Sequence, residues 1–349
     1  MRKALWIFAL AAGSHLGSVA PAGAEVTKTV KLSQDASRPF AVENLAGSMR
    51  VVPGTGSQVE VTATLHAESP ALLEAMRFEP TTDEKGRPSL RVRYPESERR
   101  FRYPQGHSNT ETRYDGRRLK VTRDSGVLAY ADLEVHLPKD VAEAWLRQGV
   151  GAVQASGVSG GLRFDTGGGD ITLSDVSGDV VADTGSGDVM ATGARGRFRC
   201  DTGSGDCKVT GFRGEALALD TGSGNLLASE IDTRTLRADT GSGDVRVSRA
   251  QAEDVKADTG SGSLDLELTG PSLARVKADT GSGDVRIRLP RDASFEVRAD
   301  MGSGDLESRF TDAQPIVNRR EVVGYRRAEG RIKIEVDTGS GDITVEPVP

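Results

Sequence analysis

The sequence contains few aromatic and few large apolar residues. Only 5% of its 349 residues are Phe, Trp or Tyr and 36% are hydrophobic, whereas glycine occurs 42 times. So little bulky side-chain volume does not suit the thick core of a helical bundle or of a large α/β enzyme. A chain of this composition can still bury a core if small residues pack in thin layers.

An excess of positive charge is also missing. The 45 Lys and Arg residues are outnumbered by 51 Asp and Glu residues, which gives a formal net charge of −6. Because nucleic acid binding depends on cationic contacts with phosphates, this composition disfavours nucleic acid as a partner. The four histidines and two cysteines show no spacing typical of a metal site or of a catalytic triad, and no cofactor is predicted.

Long apolar runs are absent after the first residues, so no later segment is predicted to span a membrane. The first 24 residues resemble a secretory signal peptide. Arg2 and Lys3 precede the apolar run 4–12, and the small residues Ala22 and Ala24 flank a cleavage position. An uncleaved anchor is the alternative, although the run is short for a bilayer. We therefore predict an exported chain that begins at Glu25 and is periplasmic, cell-surface or secreted.

The most frequent motif is a repeated Asp-x-Gly-x-Gly string. Successive copies are separated by 18, 18, 19, 19, 19, 21, 21 and 37 residues, counted between their first aspartates. These aspartates are Asp165, Asp183, Asp201, Asp220, Asp239, Asp258, Asp279, Asp300 and Asp337. Aspartic proteases carry a similar Asp-Thr-Gly-Ser string, but they need only two such aspartates that share a proton. Nine copies at a short period exclude that reading and indicate a structural repeat.

Apolar and polar residues alternate on both sides of each string, as in strands with one buried face. A unit of this size cannot bury its own apolar face, whereas stacked copies share one core. The predicted fold is therefore all-β, a single-stranded β-solenoid with about 18–21 residues per coil. We assign 133–349 to this solenoid, with an insert at 310–335 that reads as a hairpin, and 25–132 to a less regular β-rich region. Residues 40–51 resemble one degenerate coil.

Stacking places the two aspartates of each repeat in columns, where like charges repel. Lys and Arg residues close to the turns offset this repulsion, and each aspartate can bond backbone N–H groups of the turn. Calcium binding is the alternative, because carboxylate and carbonyl oxygens are its ligands. Its candidate ligands are Asp239, Asp244, Asp279 and Asp284. The motif matches the calcium-binding β-roll repeat poorly, which favours the structural role.

Cys200 and Cys207 are the only cysteines, and they flank one turn at inward positions. In an exported protein this pair is expected to form a disulfide, with two reduced core thiols as the alternative. A second feature is the polar segment 96–118, which is rich in Arg and Tyr. It reads either as a solvated loop or as a contact surface, with Arg102, Tyr103, Arg113 and Tyr114 as the candidate contact residues.

The segment Leu45 to Val51, the string Leu-Pro-Arg-Asp-Ala at 289–293 and the repeated Asp-Thr-Gly-Ser-Gly-Asp-Val are similar to a bacterial family known as the putative adhesin domain. The resemblance covers most of the chain from 26 to 346. It implies an exported, non-enzymatic envelope or surface protein with no catalytic residues. The expected function is a structural or adhesive module that presents a rigid, repetitive face to a surface glycan or an envelope protein. A carbohydrate-active β-helix enzyme and a calcium-stabilised scaffold are the alternatives.

Overall fold

The computed structural model describes residues 25–106, 109–319 and 321–348, so the predicted signal peptide at 1–24 lies outside the described residues. The chain forms two compact units, which meet in sequence at Ser186 and Gly187. We call the described residues up to Ser186 unit 1 and those from Gly187 onward unit 2.

Unit 1 contains one short helix and fifteen strands among its described residues. The helix is α1 (Pro70–Ala75). The strands are β1 (Val26–Asp35), β2 (Phe40–Ala46), β3 (Met49–Pro53), β4 (Gln58–Ala67), β5 (Arg77–Thr82), β6 (Pro88–Arg93), β7 (Arg100–Arg102), β8 (Thr110–Tyr114), β9 (Arg117–Thr122), β10 (Val127–Leu137), β11 (Val141–Val150), β12 (Val153–Ser156), β13 (Ser159–Gly168), β14 (Ile171–Ser174) and β15 (Ser177–Thr184).

Unit 2 consists of strands and turns in its described residues. Its strands are β16 (Val189–Thr192), β17 (Arg195–Thr202), β18 (Cys207–Thr210), β19 (Arg213–Thr221), β20 (Leu226–Thr240), β21 (Val245–Thr259), β22 (Leu264–Leu268), β23 (Arg275–Thr280), β24 (Val285–Leu289), β25 (Phe295–Ser303), β26 (Leu306–Ser308), β27 (Gln314–Asn318), β28 (Glu321–Arg327), β29 (Ile332–Ser340) and β30 (Ile343–Pro347).

The first coil of unit 1 comes from β2 and β3. The next coil, β11 and β12, pairs in parallel with it, although about 90 residues separate the two in sequence. β13 and β14 then pair in parallel with β11 and β12, and β15 with β13. β1, which precedes the first coil, and the residues between the first two coils form the antiparallel set β1–β4–β10, the β5–β6 hairpin and a small sheet of β7, β9 and β8. The degenerate coil predicted at 40–51 is thus present.

In unit 2 the coils stack in parallel with equivalent residues in register. Ala238, Ala257 and Ala278 lie opposite one another on adjacent coils and are at most 2% exposed. Their small side chains fit a narrow core, which is filled on either side by columns of Val, Leu and Ile. The predicted β-solenoid is confirmed.

The last two coils of unit 2 do not follow chain order. β29 pairs in parallel with β23 on one side and with β25 on the other, and β30 lies in the same way between β24 and β26. The C-terminal coil, residues 332–347, is therefore inserted between the coil 275–289 and the coil 295–308. The insert at 310–335 supplies the β27–β28 hairpin, which pairs antiparallel with β25 and covers the outer coil.

A cluster of titratable side chains in unit 1 holds Glu25, the first described residue. The His66 ring contacts the Glu25 carboxylate through Nδ1, and its Nε2 lies 3.2 Å from Asp132. The ring stacks on Tyr130 with 4.3 Å between centroids, and the Tyr130 hydroxyl donates to Glu25 at 3.0 Å. Burial lowers the pKa of His66, but its hydrogen bonds to Asp132 and Glu25 outweigh this and give a raised pKa.

This cluster makes the stability of the protein depend on pH. Because the pKa of His66 is higher in the folded chain than in the unfolded one, the stabilisation is complete below pH ~6.5 and is lost as pH rises through the folded value. We expect His66→Gln to lower the free energy of unfolding at pH 5.5 by about 1–3 kcal/mol and to weaken its fall towards pH 8.5. Urea unfolding across this range measures both effects. His136→Gln, at an exposed histidine paired with Glu134, is the control, and an equal change in both variants would contradict the prediction.

Candidate functional site

The threonine of the repeated motif closes the turn in the coils of unit 2 that carry it. Thr240 is 2% exposed, and its hydroxyl donates to the Gly224 carbonyl of the preceding coil at 2.9 Å while accepting from Gly243 N at 3.2 Å. Thr202, Thr221, Thr259 and Thr280 make the same bond to the coil before them. Since the hydroxyl accepts a bond within its own turn and donates one to the preceding coil, the motif is a structural corner.

The second aspartate of the motif forms a ladder between coils. The Asp244 carboxylate accepts a hydrogen bond from Ser263 N at 2.9 Å, and the Asp284 carboxylate accepts one from Asp342 N at 3.0 Å. Asn225 can replace an aspartate because its amide oxygen accepts from Asp244 N in the same way. Two of the four calcium candidates therefore already bond the backbone of the neighbouring coil.

The other two calcium candidates lie in the column of first aspartates. Asp239 and Asp279 are both opposite Asp258, and Lys277 lies 2.9 Å from Asp279. Among the described residues, no group of three or more His, Cys, Asp or Glu side chains is arranged to hold a metal. Calcium binding by these aspartates stays the untested alternative to their structural role.

Asp220 shows the effect of charge repulsion within the column of first aspartates. Burial, followed by the charges of Asp201 and Asp239, raises the pKa of Asp220, and Arg199 lowers it in part. Two residues before Asp220 stands Ala218, where the neighbouring coils carry Arg199 and Arg237. Cations at this position thus compensate the stacked carboxylates.

The structure joins Cys200 and Cys207 in a disulfide, and both residues are fully buried. The bond closes the turn between β17 and β18 inside the core of unit 2. It occupies positions that are apolar in the other coils, so its role there is structural.

The segment 96–118 contains strands, so it is not an irregular loop. Arg102 in β7 lies 3.4 Å from Glu68. Tyr103 is only 3% exposed and packs against Tyr130, and the Tyr114 hydroxyl donates to backbone carbonyls of Val92 and Glu43. Both tyrosines therefore serve the packing of unit 1, whereas Arg113 in β8 is exposed.

Arg113 and Tyr114 line a cleft of about 410 Å³ in unit 1, which we call the unit 1 cleft. Arg102 and Tyr103 do not line it. The cleft collects side chains from several separate segments of the chain. Its lining comprises Glu43, Asn44, Thr82, Asp83, Glu84, Arg91, Thr112, Arg113, Tyr114, Asp115, Gly116, Arg147, Gln148, Gly149, Asp165 and Gly167.

Three buried or half-buried carboxylates of the cleft are held by arginines. Glu43 bonds Arg91 at 2.6 Å and Arg147 at 3.2 Å through different oxygens. Asp115 lies 3.0 Å from Arg91 and also contacts Arg93. Parallel pairing creates the Glu43–Arg147 contact, because these residues are register partners on β2 and β11.

Asp83 is held in the same way at the side of the cleft. It bonds Arg87 at 2.6 Å, and the Arg87 guanidinium lies over the Trp145 ring at 4.0 Å. Burial raises the pKa of Asp83 and of Asp115. The neighbouring guanidinium groups, joined at Asp83 by the backbone N–H groups of Arg87 and Lys85, outweigh this and lower both below the usual range. The arginines therefore keep these carboxylates ionised and fixed in position.

Asp165 differs from the other carboxylates of the cleft. Its contact with Arg147 is long, at 3.9 Å, and half of its side chain is exposed. Burial raises the pKa of Asp165, and the charge of Arg147 offsets this only in part. Asp165 thus presents a carboxylate that a ligand can reach, next to a guanidinium.

Sequence patterns did not reveal the carboxylate and arginine residues of this cleft. Asp165 stands out in the sequence as the first aspartate of the repeat, but not as a site residue. One usable signal was Glu43-Asn44 inside the otherwise apolar run of β2, where both residues are buried. Buried polar residues in a central strand require partners, and here the partners are Arg91, Arg147 and Gln148.

Within the described ranges, no helix is long and apolar enough to cross a membrane. A search of curated proteins finds no match to the chain.

Several solved structures are similar to the chain at low sequence identity. A "putative lipid binding protein" from Parabacteroides distasonis is 12% identical with a TM-score of 0.40, covering 94% of this chain and 98% of that one. A "putative adhesin" from Bacteroides fragilis is 10% identical with a TM-score of 0.36, covering 94% and 100%. A "putative adhesin" from Parabacteroides merdae is 14% identical with a TM-score of 0.32, covering 94% and 97%.

The family model named Toastrack DUF4097 matches residues 132–346, which is more than half of the chain. The matched region contains the repeated corners, the aspartate ladder and the disulfide described above. The protein belongs to the Toastrack DUF4097 family.

Proposed function

We propose that this protein is an exported, non-enzymatic binding module that holds a glycan in the unit 1 cleft. The observation that supports this most directly is the combination of fixed charges with a reachable pair, Asp165 and Arg147, in a cavity of about 410 Å³. This volume lies in the range of small-ligand sites, roughly 300–1,000 Å³. The stacked coils behind the cleft supply a rigid support for it.

The chemistry of the cleft suits a polyhydroxylated ligand. Sugar hydroxyls both donate and accept hydrogen bonds, so a carboxylate beside a guanidinium satisfies two neighbouring hydroxyls at once. Asp165 would accept from the ligand, while Arg113 and Arg147 would donate to it. Because Arg147 already lies 3.2 Å from Glu43 and 3.7 Å from Asp83, these carboxylates hold this donor in place without reorganisation on binding.

A carbohydrate-active enzyme is the second candidate function, and the raised pKa of Asp165 favours it, since a general acid must be protonated near neutral pH. Glycoside hydrolysis usually requires a second carboxylate that acts as base or nucleophile. Hydrogen bonds from guanidinium groups lower the pKa of Asp83 and of Asp115, which makes both weaker bases, and Glu43 is occupied by ion pairs with Arg91 and Arg147. We therefore place binding before hydrolysis.

The test uses the chain from Glu25 onward on a glycan array, with and without calcium, followed by calorimetric titration of the best ligand. We expect Arg113→Ala and Asp165→Asn each to weaken that affinity about tenfold, the loss of one charge-assisted hydrogen bond. Arg234→Ala and Asp239→Asn, exposed residues of unit 2, are the matched controls.

The proposal is overturned if the array retains no glycan, or if Asp165→Asn leaves the affinity for the best ligand unchanged. Release of reducing sugar from the bound glycan, abolished in Asp165→Asn, would instead establish the enzyme. Binding of an envelope protein with no retention of glycan would likewise overturn the proposed glycan site.

A further inference from the structure

The C-terminal coil of unit 2, residues 332–347, lies in a slot between the coil 275–289 and the coil 295–308. After the coil 275–289, the chain skips one position in the stack and forms the outer coil 295–308. It then returns, and residues 332–347 fill the position between these two coils. Each face of the inserted coil pairs with a neighbour, in register from Lys333 opposite Arg275 to Pro347 opposite Leu289. The slot is thus a complete acceptor site for one coil.

The interactions in this slot are of a kind that any copy of the chain can supply. Ile334, Val336, Ile343 and Val345 are at most 3% exposed, and they lie over equivalent residues of both neighbouring coils. Backbone hydrogen bonds and the bond from Asp342 N to Asp284 add to this apolar packing. None of these depends on the covalent connection between the coils 295–308 and 332–347.

That connection is long. Residues 309–331 join the two coils, and a chain of 23 residues spans up to roughly 75 Å when extended. Opening the β27–β28 hairpin and releasing the coil would leave the coil 275–289 and those before it in place, whereas the outer coil 295–308 would lose its pairing until a second copy fills the slot. The cost of spanning a longer distance grows only slowly with the length of the connection. Exchange of an identical element is then possible, since each copy supplies to the other the same pairing that it gives up itself.

We propose that this slot is an interaction site for a second copy of the chain, whose residues 332–347 insert in place of the chain's own C-terminal coil. Reciprocal insertion joins two copies through their units 2. The free edge of β27 is a poorer docking edge, because it is short, contains Pro315 and precedes Arg319. The proposal does not depend on the glycan site in unit 1.

The experiment mixes two full-length mature chains that each carry one new cysteine. Lys277 and Glu335 are register partners and both exposed, so Lys277→Cys in one chain and Glu335→Cys in the other meet only after exchange. The chains are unfolded and refolded together at high concentration with the native disulfide intact, then treated with a short thiol cross-linker. A single chain that carries both substitutions is the positive control. Cross-linking within this chain shows that the two cysteines are close enough to react with the cross-linker.

We expect a covalent heterodimer at least tenfold more abundant than with the control pair Lys277→Cys and Arg234→Cys, in which Arg234 lies far from the slot in sequence and is exposed. The yield should rise with protein concentration. If the doubly substituted chain cross-links internally while the mixed chains give no heterodimer above the control, the proposal is wrong.

Discussion

Ile343→Asp is expected to unfold much of unit 2, although the residue lies only six positions from the end of the chain. Ile343 is fully buried and sits between Val285 and Leu306 on the two neighbouring coils. A carboxylate there would be buried without a partner, which costs about 4–5 kcal/mol or more. Urea unfolding followed by circular dichroism should show a large fall in the midpoint.

The adjacent residue gives a matched control for this substitution. Thr344 points away from the core, opposite Arg286 and Glu307, so Thr344→Asp should change stability by less than about 0.5 kcal/mol. In a solenoid that ended with its C-terminus, a damaged last coil would only fray. An unchanged midpoint for Ile343→Asp would therefore contradict the inserted position of this coil.

Gly243→Ala is expected to lower the free energy of unfolding by about 3 kcal/mol, because the corner has no room for a side chain. A Cβ at this position would lie 1.8 Å from the Gly224 carbonyl oxygen, which is backbone and cannot move aside cheaply. The equivalent glycines Gly205, Gly224 and Gly262 meet the previous coil at 1.9–2.0 Å. Thermal and urea unfolding of the chain from Glu25 onward measure the loss.

Gly56→Ala serves as the control for this prediction. Its added Cβ would meet nothing closer than Gln58 N at 3.9 Å, in an exposed bend, so its stability should change little. Similar losses in both variants would show that backbone flexibility, and not the close approach of two coils, explains the glycines of the motif.

The spacing of the aspartates was sufficient to predict the coils of unit 2. Stacked repeats must superimpose like residues, so a fixed period with alternating apolar positions leaves few other folds. The order of the last two coils was not predicted, because both carry the motif. Two departures in the coil 295–308 were the available signal: Met301 replaces the corner threonine, and Ser308 replaces an apolar core residue. A coil without these interactions is better placed at the end, where one face is open.

The unit 1 cleft could not be predicted from the repeat. Glu43 and Arg147 are about 100 residues apart and meet only because β2 and β11 are adjacent coils with a long insertion between them. No local sequence pattern indicates that β2 and β11 pair. Of the contact residues predicted in 96–118, Arg113 and Tyr114 line the cleft, whereas Arg102 lies beside Glu68 and Tyr103 packs against Tyr130. Their contact role stays a prediction.

The aspartate ladder has a consequence for how this protein can change its length. A carboxylate or amide acceptor and a close glycine contact recur between the coils of unit 2, so a duplicated segment such as 239–257 would meet matching groups on both neighbouring coils. One tandem duplication of nineteen codons should then lengthen unit 2 by a single step of about 4.8 Å. Duplication of coils can thus change the length of unit 2 in discrete steps, without changes in the coils at either end of the unit.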